Sequence, residues 1–82
     1  MSDQKNVRSL SAIAAEILVR WKSPNYAAKP YITAMFALNT VDDSYGYDDG
    51  RGIVLYFLSN ASAWRGEDAK RIKAELKALL AK

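Results

Sequence analysis

Gly52-Ile53-Val54-Leu55-Tyr56-Phe57-Leu58, running on through Ser59-Asn60-Ala61-Ser62-Ala63 into Trp64-Arg65-Gly66, is the stretch whose reading decides the fold. An unbroken apolar run between a glycine and a serine suits either a buried strand or a buried helix. Ile53, Phe57, Ala61 and Trp64 recur at helical spacing, with Val54 and Leu58 beside them. The only partner strand on offer, residues 31–38, is rich in alanine and methionine, which favour helix over strand. The spacing therefore predicts a helix over 49–61. The alternative is an α-β-β-α layout in which residues 31–38 and 53–59 pair as a central hairpin.

Outward from that run, the other segments read as helices that cover it. Leu10, Ile13, Ala14, Ile17, Leu18 and Trp21 form one apolar stripe at i, i+3, i+4, i+7, i+8 and i+11. Ser9 or Ser11 can cap its start, because a hydroxyl oxygen accepts from an unpaired backbone N–H. Ser23-Pro24 stops it, since proline forces the residue before it out of helical geometry. Pro30 suits the start of a second helix, in which Ile32, Met35 and Phe36 make one face. Residues 41–52 are a loop of turn-forming aspartates and glycines, with Asp48 or Asp49 placed to cap the next helix. In the last helix, Ala69, Ile72, Leu76, Leu79 and Leu80 form the buried stripe, and Glu67–Arg71 and Arg71–Glu75 are i, i+4 pairs. The expectation is an all-α compact bundle of about four helices near 9–22, 30–39, 49–61 and 67–81, forming a single helical domain over 9–82 behind a flexible N-terminus of residues 1–8.

At 82 residues the chain is one small domain, and at such a length burial is limited. A second copy that covers surplus apolar surface, giving a homodimer or higher oligomer, is therefore expected. Cysteine and histidine are both absent. That removes disulfides, thiolate nucleophiles, the commonest metal ligand and the commonest general base. The aspartates at 42, 43, 48 and 49 do not match a calcium-binding loop: counted from Asp43 the third position is Tyr45, and counted from Asp42 the required glycine comes one place early. No nucleophile–base pair or glycine-rich phosphate loop is visible. The chain reads as a non-enzyme with no cofactor and no metal. No apolar run approaches a membrane span, and a cytoplasmic location in a host cell is expected.

Formal net charge is +3, unevenly laid out. Residues 31–63 carry Arg51 alone against four aspartates, while both flanking regions are basic. Attraction within the molecule or between subunits is the simplest use of that pattern. Tyr45 and Tyr47 flank Gly46; they either fold onto the core or form a partner-binding patch with Arg51. Arg65, always charged and suited to carboxylate or phosphate, is the fourth candidate contact. Lys70, Lys73 and Lys77 share a helical face, which is a solvated surface or an anion-tracking, nucleic-acid-binding stripe.

Tyr56-Phe57-Leu58-Ser59-Asn60-Ala61, Trp64-Arg65-Gly66-Glu67, then Ala69, Lys73 and Glu75-Leu76-Lys77 resemble a group of small helical proteins encoded by bacteriophages and prophages. The likeness extends to Ala14-Ala15-Glu16-Ile17, Trp21, Pro30-Tyr31 and Ala34-Met35 and covers most of residues 10–80. The resemblance implies a phage origin and assigns no activity and no site residue. It implies an interaction protein that binds and modulates a host macromolecule, such as a counter-defence inhibitor. The alternatives are a nucleic-acid or nucleotide-binding protein, or a structural protein of the virion or its assembly.

Overall fold

The computed structural model describes residues 8–81. Helix α1 spans Leu10–Arg20, with the Ser9 hydroxyl oxygen accepting from the Ala12 N–H at 3.0 Å. Its two leading N–H groups, on Leu10 and Ser11, donate to the carbonyls of Asn39 and Leu38, each at 2.9 Å. Those carbonyls belong to the exit from α2, Lys29–Phe36. The tie explains why α2 stops three residues short of the expected Asn39. Ala37 and Leu38 close a tight final turn onto Ala34 and Met35, and the carbonyls beyond it cap α1 instead of extending their own helix.

The chain then enters a short antiparallel hairpin, β1 (Ser44–Tyr45) and β2 (Asp48–Asp49), with Ser44 opposite Asp49 and Tyr45 opposite Asp48. Gly46 turns it at φ +65°, where a side chain is strained. Helix α3, Gly50–Ser59, follows at once, capped by Asp49, whose carboxylate accepts from the Gly52 N–H at 2.8 Å. The last helix, α4, spans Glu67–Leu80 and starts from Gly66 at φ +111°.

The protein is therefore mostly helical, four helices with a hairpin between the second and third. The apolar run 53–58 lies inside α3, and residues 31–36 lie inside α2. The hairpin that the alternative placed on those segments occupies the aspartate-rich loop instead, with two residues in each strand. The described residues continue from α1 back to Arg8, which the sequence assigned to a flexible lead-in and which is held by ion pairs. The expectation for residues 1–7 lies outside the described residues.

The helices close a ring in which α1 and α3 lie on opposite sides, each packed against α2 and α4. Leu10, Ile13, Ile17, Ile32, Met35, Leu38, Val54, Phe57, Ile72 and Leu76 fill the centre. Phe36, expected on the buried face of α2, and Leu18, expected on the apolar stripe of α1, are exposed instead. At one pole Trp21 and Trp64 stack with ring centroids 5.3 Å apart and planes 6° apart, and Phe57 meets Trp21 edge-on at 6.3 Å. The contact joins the end of α1 to the turn between α3 and α4.

Candidate interaction surface

Polar side chains divide into those engaged within the fold and those left to solvent. Arg8 donates to both Glu75 oxygens, at 2.9 and 2.6 Å, and pairs with Glu16 at 2.8 Å. Arg71 reaches Glu16 at 2.7 Å and Asp68 at 3.2 Å. It therefore crosses to α1 instead of forming the within-helix pairs with Glu67 and Glu75 that its spacing suggested. Arg71 and Arg8 hold the Glu16 carboxyl down at about 2, and the Glu75 carboxylate raises the Arg8 guanidinium further above its ordinary value.

Two of the expected site residues belong to this engaged class. Arg51 donates to the Leu80 carbonyl at 3.0 Å and to Asp42 at 3.3 Å, fastening the end of α4 to the loop before the hairpin. Lys73 donates to the carbonyls of Ala61 at 2.7 Å and Trp64 at 2.8 Å, satisfying the turn after α3. Partial burial lowers the Lys73 pKa, with Lys77 and Arg65 adding repulsion. The Lys70–Lys73–Lys77 stripe is interrupted at its centre, because residues 61–64 fold back over α4. Arg65, Lys70 and Lys77 are exposed, and none takes part in the ion pairs among the described residues.

A cavity of about 270 Å³ opens between Arg8, Asn39, Thr40, Val41, Asp42, Arg51 and Leu79. Its two guanidinium groups are taken by Glu75, Glu16, Asp42 and Leu80, so its polar wall is already satisfied. Among the described residues no group of three or more Asp or Glu side chains is placed to hold a metal ion, and no helix is long and apolar enough to cross a membrane.

Apolar side chains left in water are concentrated elsewhere. Tyr47 stands fully exposed at the hairpin turn, and Tyr45 beside it is half exposed. Neither folds onto the core. Arg51, at the hairpin base, is engaged with Leu80 and Asp42. The hairpin is anchored at its root: the Gly50 N–H donates to the Asp43 carbonyl at 2.7 Å, while the Asp43 carboxylate accepts from the N–H groups of Asn39 and Thr40 at 2.9 and 3.1 Å. Those two donors also lower the Asp43 pKa.

The second concentration was missed from the sequence. Leu55 and Tyr56 point outward from α3 at 55% and 56% exposure. A groove on the α4 side is lined by Leu55, Leu58, Ser59, Lys77 and Leu80. On the α2 side, Tyr31 stacks on Tyr56 at 5.6 Å and opens onto a groove lined by Tyr26, Lys29, Tyr31, Thr33 and Asn60. The signal was present: no charged residue occurs between Gly52 and Trp64, so beyond Arg51 helix α3 has only Ser59 as a polar residue to turn to water, besides the Tyr56 hydroxyl. No family model, curated protein or solved structure matches the chain.

Proposed function

We infer that the chain is a small phage-encoded interaction protein that acts by binding a host macromolecule, in the manner of a counter-defence inhibitor. Phage origin rests on the sequence resemblance. The observation that carries the binding reading is the anchored hairpin, which keeps Tyr47 wholly in water and Tyr45 half so. A large aromatic on a pinned turn loses little freedom on docking and buries much area, which suits a contact point. Arg65 lies at another part of the surface and serves as a separate, charged contact.

Affinity capture from host lysate with and without nuclease tests this reading. One dominant host protein should survive nuclease and be lost with Tyr45→Ala/Tyr47→Ala, while the melting temperature stays within a few degrees of wild type. Retention of that protein by the double variant removes the hairpin from the contact.

A nucleotide reading is favoured by the α2-side groove, where Tyr26 is 91% exposed beside Lys29 and the stacked Tyr31. Aromatic faces next to a cation suit a base and its phosphate. It predicts a nucleotide-dependent rise in melting temperature that Tyr26→Ala abolishes. An unchanged melting temperature across the common nucleotides excludes it.

A further inference from the structure

From Ile53 to Leu58 helix α3 carries no charged side chain, yet the fold covers only one side of it. Gly50, Ile53, Val54 and Phe57 face the core. Gly52, Leu55, Tyr56 and Ser59, at i, i+3, i+4 and i+7, face outward, a run of small, large, large, small. A helical segment apolar on both its sides belongs between two packed layers. The same helix separates charge along its axis. At its N-terminal end lie Asp42, Asp43, Asp48 and the capping Asp49, with Arg51 the only cation in residues 31–63. At its C-terminal end lie Lys29, which lines one groove with Asn60, Lys77, which lines the other with Leu58 and Ser59, and Arg65 in the turn after α3.

We propose that the outer face of α3 is the seam of a two-fold symmetric homodimer, with α3 packed antiparallel against α3 of a second copy. Antiparallel pairing sets the acidic hairpin end of each chain against the basic end of the other, twice over. Parallel pairing would stack like charges and is disfavoured. The small residues at 52 and 59 leave room for Leu55 and Tyr56 of the second copy to seat between the helices. A standard interface takes about 800 Å² from each partner, and about 15% of the 5321 Å² surface suffices for that. The outer stripe and the two grooves beside it, one toward α2 and one toward α4, lie on this side of the molecule to supply it. The seam uses the side chain of neither Tyr45 nor Tyr47.

Sedimentation equilibrium of the whole chain across a micromolar dilution series tests the seam. Wild type should show twice the 9.1 kDa chain mass. Leu55→Glu should weaken self-association by about tenfold or more, which corresponds to about 1.4 kcal/mol. Ser59→Arg, at an exposed position that leaves the core untouched, should do the same if Leu55→Glu lowers helicity by circular dichroism. Val19→Glu, on the exposed face of α1 across the ring, should leave the mass unchanged. Asp48→Lys and Arg65→Glu should each weaken the dimer, and together restore it. A wild-type monomer overturns the proposal and leaves the stripe to a foreign partner. A dimer that survives both Leu55→Glu and Ser59→Arg overturns the α3 seam, and a charge-reversed pair no better than its single variants overturns the antiparallel arrangement.

Discussion

Glu16 receives guanidinium groups from three directions: Arg8 ahead of its own helix, Arg20 one turn on, and Arg71 from α4. Its side chain is only 19% exposed, so those charges are partly shielded from solvent. A folded-state pKa of about 2, below the ordinary 4.5, means that the charged form stabilises the fold fully above about pH 4.5. That contribution fades as pH falls toward 2, because the unfolded chain takes up the proton first. Glu16→Gln should cost about 1 kcal/mol at neutral pH, in the range of a partly exposed ion pair. It should also flatten the loss of stability between pH 4.5 and 2, as read by urea unfolding at each pH. An unchanged acid slope would show that other carboxylates carry it. Gly50, the first residue of α3, is buried. A methyl group there would stand 2.8 Å from the Thr40 and Val41 carbonyl oxygens and the Val41 Cα, all backbone atoms with little room to yield. Gly50→Ala should cost about 2 kcal/mol or more. At Gly52 the nearest atom is the Asp49 side chain, at 2.9 Å and on a rotatable bond, so Gly52→Ala should cost less.

Among the elements, α3 and the turn after it set the geometry of one pole. Lys73 acts there as a clamp, holding the Trp64 carbonyl and the Ala61 carbonyl, which also accepts from the Trp64 N–H at 3.0 Å. Lys73→Met keeps the aliphatic stem and removes the donor. The expected loss is about 1–2 kcal/mol, with faster amide exchange confined to residues 60–66. Loss spread evenly over the molecule would argue against a local clamp. The helices themselves were legible because their stripes repeat within one segment: Leu10, Ile13 and Ile17 in α1, Ala69, Ile72 and Leu76 in α4. Capping was legible for the same reason, since Ser9 and Asp49 act within three residues of themselves. The clamp was not. Spacing alone sets Lys73 on a stripe with Lys70 and Lys77, and only the fold of residues 61–64 over α4 removes it. Arg71 shows the same limit, for its partner lies 55 positions away in the chain. The uncharged span after Gly52 was legible as core, but its outward half emerges only once α2 and α4 are seen to flank it without covering it.

For the molecule as a whole, the arrangement couples two poles by different means. One is built on the hairpin, Asp43 and the Arg51 bridge to Leu80; the other is built on the tryptophan stack. The chain holds no other tryptophan. A pair of indoles 5.3 Å apart and nearly parallel shares its excited states, so the protein carries a spectroscopic gauge of one seam. Selectively excited tryptophan emission, and the indole bands of the near-ultraviolet dichroism, will follow the separation of α1 from the α3–α4 turn. An event at the hairpin, including capture of a partner by Tyr45 and Tyr47, leaves that signal dark unless the ring of helices itself moves. A binding titration followed by tryptophan emission therefore reports conformational transmission across the bundle, and a silent titration is compatible with tight binding at the far pole.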